Sequence, residues 1–188
     1  STPVASYIYQ KGTFHHKRVQ ALGGAKNTMV ILPDAALEKS VKTALESITG
    51  CAGQRCLAGS VLACVGKDTK KAVEEHLLPL VKEIIVGDGL NPTTTIGPVI
   101  SAASRERIHN LIDDAVISGA KILEDGRYKF KDKKGFFLGP TVLTDITPSM
   151  KIAMEEVFGP VICIMGLKTF DDAIQFINKS PYGNTTRL

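Results

Sequence analysis

At 188 residues with 44% apolar content, the chain can bury a core without disulfides or metals and suits one globular α/β domain, or a domain with a piece of another. Its net charge of +4, from 23 basic and 19 acidic residues, is spread along the sequence apart from KFKDKK at 129–134. With no Trp and 6% aromatic residues, this excludes a phosphate-tracking stripe and an aromatic-rich face for nucleic acid or carbohydrate. No apolar run has the length of a membrane-spanning helix and no signal peptide opens the chain, so neither nucleic acid nor membrane is expected as a partner.

Ala5–Gln10 reads as the end of a short helix, with His15 and His16 at its exposed end, and Gly23-Gly24 as a turn. TMVIL at 28–32 is apolar, β-branched and stopped by Pro33, which predicts a buried strand; Asp34 is placed to cap the helix that follows. That helix carries Leu37, Val41, Ala44, Leu45 and Ile48 on one face. Ser60–Val65 returns as a strand. Asp68 then caps a helix with Val73, Leu77, Leu80, Val81 and Ile84 inward and a kink at Pro79. After a Gly/Pro/Thr loop at 87–98, a helix at 102–118 turns Ile108, Leu111, Ile112, Ala115 and Val116 inward and ends at Gly119. KIL begins a strand, 124–134 reads as a solvated hairpin, and FFLGPTVL and VFGPVICIMGL supply further strands. A final helix at 171–178 presents Phe170, Ala173, Ile174 and Ile177. Strands alternating with helices in this way predict an α/β fold, a mainly parallel sheet with helices on both faces.

The informative stretch is GCAGQRCLAGS, Gly50–Ser60. Cys56 stands in a connecting loop among small residues, where a thiol can be partly exposed. Arg55 supplies the positive field that favours its ionised, nucleophilic form. Ala52, Gly53, Ala58 and Gly59 would let a carbonyl approach and leave backbone N–H groups to hold an oxyanion. Cys64 and Cys163 lie in apolar strands and read as packed thiols, and Cys51 also reads as packing. His76 and His109 each stand alone in a helix and read as surface or packing residues. Four cysteines without paired CxxC spacing read as reduced thiols, and no metal site is expected.

VQALGGAKN, AGQRC, GFFLGPTVL, EEVFGPV and NKSPYGN occur in the order and spacing of the aldehyde dehydrogenase superfamily. Among its branches the chain most resembles the CoA-acylating methylmalonate-semialdehyde (malonate-semialdehyde) dehydrogenases. The resemblance implies a catalytic-domain fragment, with 1–22 the tail of a nucleotide-binding domain and 23–188 a catalytic domain truncated at its C-terminal end. It implies that Cys56 is the nucleophile, forming a thioester, and that Arg55 binds the substrate carboxylate. Glu156 and Phe158 would hold the ribose and nicotinamide of NAD. Ser1 would lie near the cofactor pyrophosphate, and Leu22 beside the nicotinamide amide.

Hydrolytic members carry Glu-Leu-Gly-Gly, whose Glu activates water; here the string is Ala21-Leu22-Gly23-Gly24, and alanine accepts no proton. Coenzyme A is therefore the implied cosubstrate. The implied products are propionyl-CoA or acetyl-CoA, CO2 and NADH, as in valine or inositol catabolism. Two alternatives stand: a CoA-independent aldehyde dehydrogenase giving a carboxylic acid, and a non-catalytic scaffold. The resemblance also implies a homo-dimer or homo-tetramer, cytoplasmic in a bacterium or in the mitochondrial matrix of a eukaryote.

Overall fold

In the computed structural model, all residues but 131 and 133 are described. The elements run α1 (Thr2–Phe14), β1 (Asn27–Ile31), α2 (Leu37–Thr49), β2 (Gly59–Val65), α3 (Lys67–Lys82) and α4 (Ala102–Ile117). They continue β3 (Lys121–Glu124), β4 (Thr141–Thr144), α5 (Lys151–Met154), β5 (Val161–Leu167), α6 (Phe170–Asn178) and β6 (Thr186–Arg187). The strands form one sheet in the order β3-β4-β5-β2-β1-β6, parallel throughout except for the antiparallel edge pair β3/β4.

Central strands of such a sheet are covered on both sides and so read as continuous apolar runs. In β2, Leu62 and Cys64 face α2 and α3, with Val41, Ala44, Ile48, Val73 and Leu77 around them. Val61 on the other side packs with Ile108, Ile112 and Ile152 of α4 and α5, and Ala63 and Val65 pack with Ala173 of α6. The α/β fold with helices on both faces therefore stands.

Several local expectations are corrected. The first helix spans Thr2–Phe14 and buries none of its side chains. α2 starts after Ala36, which gives no side-chain cap, so Asp34 lies outside it. α3 starts after Gly66, leaving Asp68 inside its first turn, where a carboxylate favours the positive end of the helix dipole. Val116 is 40% exposed and Ile174 40%, while Phe176, unremarked in the sequence, is buried. The stretch after β3 is not a solvated hairpin: Arg127 is buried, its guanidinium tied to Asp125 and to Asp113 of α4. Within that stretch Lys131 and Lys133 lie outside the described residues.

Candidate active site

Four loops lead into the amino ends of parallel neighbours: residues 20–26 into β1, 54–58 into β2, 155–160 into β5 and 180–185 into β6. Because the strands share a direction, these loops meet at one edge of the sheet. The cleft between the first three is lined by Asn27, Gly53, Arg55, Cys56, Glu156 and Phe158, among others. Open α/β sheets more often gather their sites at the carboxyl ends. Here the sequence places its small and polar residues before the strands, and the site follows them.

Cys56 is exposed, whereas Cys64 and Cys163 are buried. Burial pushes the Cys64 thiol up to about 12 and also raises that of Cys163, so neither is a nucleophile. The carbonyl of Cys56 accepts two amide donors, Asn27 Nδ2 and Asn184 Nδ2, each at 2.7 Å. Asn27 also donates to the Ala58 carbonyl at 2.8 Å. The backbone N–H of Cys56 makes no hydrogen bond among the described residues and is free to meet an oxyanion. Sequence reasoning passed over both asparagines, although each ends one of the strings that carry the resemblance.

The loop is closely fitted to its neighbours. Gly53 has φ +70°, and a Cβ there would lie 2.2 Å from the carbonyl oxygen of Gly159 in the facing loop. Gln54 anchors the outer side, donating to Pro98 O at 3.2 Å and accepting from Ile100 N at 2.9 Å. On the facing loop, Arg107 of α4 donates to the carbonyls of Glu156 and Val157. Next to them Phe158 adopts φ +50°, a left-handed conformation unusual for an aromatic residue, and keeps its ring 39% exposed. Glu156 and Phe158 thus line the cleft together with Cys56.

Lys26 sits one residue before Asn27, buried, with Nζ lacking a hydrogen-bond partner among the described residues. Burial pulls its pKa down, opposed by the nearby carboxylates of Glu156 and Glu155. Ser1 and Leu22 lie away from the cleft lining. Ser1 is the exposed residue before α1, its carbonyl packed against the Gly23 turn, and Leu22 is 84% exposed. Cys51 corrects an expectation: it is exposed rather than packed, and its Sγ accepts a hydrogen bond from Arg55 Nε at 3.2 Å. His109 packs its ring edge-on to Tyr128. Among the described residues, no three His, Cys, Asp or Glu side chains converge to hold a metal, and no helix is long and apolar enough to cross a membrane.

The family model for aldehyde dehydrogenases matches residues 1–188. The chain is 42% identical over 188 residues to a malonate-semialdehyde dehydrogenase of Pseudomonas aeruginosa, covering 99% of this chain and 38% of that protein. It is 44% identical over 192 residues to a Drosophila melanogaster protein named "Probable methylmalonate-semialdehyde/malonate-semialdehyde dehydrogenase [acylating], mitochondrial", covering 100% of this chain and 36% of the other. Among solved structures, methylmalonate-semialdehyde dehydrogenase from Oceanimonas doudoroffii superposes with a TM-score of 0.96 at 37% identity, over 99% of this chain and 38% of that one. Betaine aldehyde dehydrogenase from Staphylococcus aureus, solved with NAD+, gives 0.91 at 35% identity over 98% and 37%. The chain thus spans well under half the length of the relatives it matches. With the cleft residues gathered as described and the family model matching from end to end, the chain belongs to the aldehyde dehydrogenase family.

Proposed function

We propose that this chain is the cysteine-bearing part of a longer, NAD-dependent, CoA-acylating dehydrogenase of methylmalonate or malonate semialdehyde. Residues 1–22 would be the tail of its nucleotide-binding domain and 23–188 the catalytic domain, short of its C-terminal end. The observation that carries the reading is the exposed Cys56, its carbonyl clamped by two asparagines and its N–H free, in a cleft shared with Arg55, Glu156 and Phe158. The semialdehyde dehydrogenases it resembles supply the substrate class.

In this reading the Cys56 thiolate adds to the aldehyde carbon, and the carbonyl electron pair moves onto oxygen. The Cys56 N–H meets that oxyanion. NAD, when bound, would supply the hydride acceptor. Glu156 and Phe158 would hold its ribose and nicotinamide ring, with Ser1 and Leu22 on its pyrophosphate and amide sides. Loss of hydride from carbon leaves an acyl thioester on Cys56. The segment 19–22 is Val-Gln-Ala-Leu, with no carboxylate to activate water. The thiolate of coenzyme A therefore takes the acyl group by thioester exchange, releasing Cys56 as thiolate; the β-carboxylate leaves as CO2, the C–C electron pair stays on the α-carbon, which takes a proton from solvent, and the product is propionyl-CoA or acetyl-CoA. Arg55 offers a guanidinium to the substrate carboxylate.

A homo-dimer or homo-tetramer belongs to the same proposal, as does a location in the bacterial cytoplasm or the mitochondrial matrix. The test is steady-state NADH formation by the full-length protein. Cys56→Ala abolishes it and omission of CoA slows the parent sharply. Turnover indifferent to CoA favours the hydrolytic alternative, and turnover surviving Cys56→Ala removes the nucleophile.

A further inference from the structure

Arg55 is held in an unusual way. Its guanidinium fills the space that a side chain on Gly50 would need: a Cβ there would be 2.8 Å from Nη1, 3.1 Å from Cζ and 3.3 Å from Nη2. Its Nε donates to Cys51 Sγ at 3.2 Å. Cys51 presents that sulfur because its backbone and that of Ala52 are left-handed, both with φ +53°, which turns the chain outward between Gly50 and Gly53. The turn closes with Gln54 N donating to Cys51 O and Ala58 N to Arg55 O, each at 3.1 Å. Arg55 makes no ion pair and no other side-chain hydrogen bond among the described residues. With Nε occupied by sulfur, the donors left are the end-on pair Nη1 and Nη2, on a residue that lines the Cys56 cleft.

We infer that Gly50 and Cys51 are specificity-determining residues: together they aim the end-on fork of Arg55 at the carboxylate of a semialdehyde whose carbonyl sits over Cys56. The inference rests on Arg55 reading the substrate carboxylate. A free arginine would spread over many rotamers, and fixing it beforehand lowers the ordering cost of a two-point carboxylate contact. Gly50 leaves room for the planar group, and Cys51 supplies the acceptor that fixes its rotation. The two residues act through Arg55, so they set discrimination between charged and neutral aldehydes.

The test is the ratio of kcat/KM for malonate semialdehyde to that for propanal, a neutral aldehyde of the same chain length, in the full-length protein with NAD and CoA. Arg55→Ala lowers this ratio by about 100-fold, the loss expected for a charge-assisted bidentate contact. Cys51→Ala lowers it by about 5- to 10-fold, and Cys51→Ser, whose hydroxyl accepts the same hydrogen bond, returns it to within about 2-fold of the parent. The double variant Cys51→Ala/Arg55→Ala matches Arg55→Ala alone, since both act through one guanidinium. If Arg55→Ala lowers the ratio but Cys51→Ala leaves it at the parent value, or Cys51→Ser does no better than Cys51→Ala, the inference falls and the carboxylate role of Arg55 survives. If Arg55→Ala itself leaves the ratio at the parent value, both fall.

Discussion

Asn27 Nδ2 bonds the carbonyl of Cys56, 29 positions later in the chain, at 2.7 Å, and bonds that of Ala58 at 2.8 Å. The first residue of β1 therefore sets the shape of the loop entering β2. Removing the amide leaves the Ala58 carbonyl without this donor and Cys56 with only Asn184. Asn27→Ala is expected to cost about 2 kcal/mol, and Asn27→Asp more, because a carboxylate would face two carbonyl oxygens. Urea unfolding of the two variants checks this; an Asn27→Asp protein as stable as the parent would contradict it.

The backbone contact between Gly53 and Gly159 ties the cysteine loop to the Glu156–Phe158 loop, and it leaves no space for a side chain. Gly53→Ala combines a left-handed backbone with a collision against a carbonyl oxygen. It is expected to destabilise by about 2–4 kcal/mol. Gly89→Ala, at a site with nothing within 4 Å, is the control and should stay within about 0.5 kcal/mol. Equal midpoints for the two variants in denaturant would rule out the contact.

These two relationships mark what a sequence can and cannot disclose. Central strands such as Ser60–Val65 were legible because burial on both faces demands an unbroken apolar run. Cys56, Arg55, Glu156 and Phe158 stand in local motifs, which is why residues that share one cleft can be picked out along the chain; their roles stay a proposal. Asn27 and Asn184 also end local motifs, but the carbonyl each one holds cannot be read there, since it lies 29 and 128 positions away. Cys51 was misjudged because its exposure depends on two consecutive left-handed residues, a conformation that Cys and Ala seldom adopt. Arg127 looked like part of a charged surface run; its burial depends on Asp113, a residue of a different element.

Thiol chemistry separates the four cysteines. At neutral pH iodoacetamide should modify Cys51 and Cys56 in the folded chain, with Cys64 and Cys163 slower by about 100-fold or more. Both protected thiols are buried, and burial raises their pKa values. Peptide mapping after timed labelling reads the rates. Uniform labelling of all four would contradict the burial of β2 and β5.

Asp125 answers to acid. Its hydrogen bonds to the Arg127 guanidinium hold its carboxyl below the usual range. A carboxylate with a depressed folded pKa stabilises the fold at pH values above about 4, and that contribution is lost as pH falls through the folded pKa. Asp145, held low by Lys121 and Lys70, acts in the same direction. Asp125→Asn should therefore cost about 2 kcal/mol at pH 7, leaving Arg127 buried with Asp113 as its remaining ion-pair partner, and should flatten the loss of stability as pH falls below about 4. Melting curves across that range decide it; a variant whose acid profile runs parallel to the parent's would exclude the pairing as its source.

The central claim concerns the bond that Cys56 forms. Full-length protein mixed with NAD and malonate semialdehyde, without CoA, and quenched in acid should carry an acyl group on the peptide containing Cys56, read by mass spectrometry. Addition of CoA before the quench should remove it. An acyl group on Cys51 or on another residue, or NADH released with Cys56 unmodified throughout, would contradict the account.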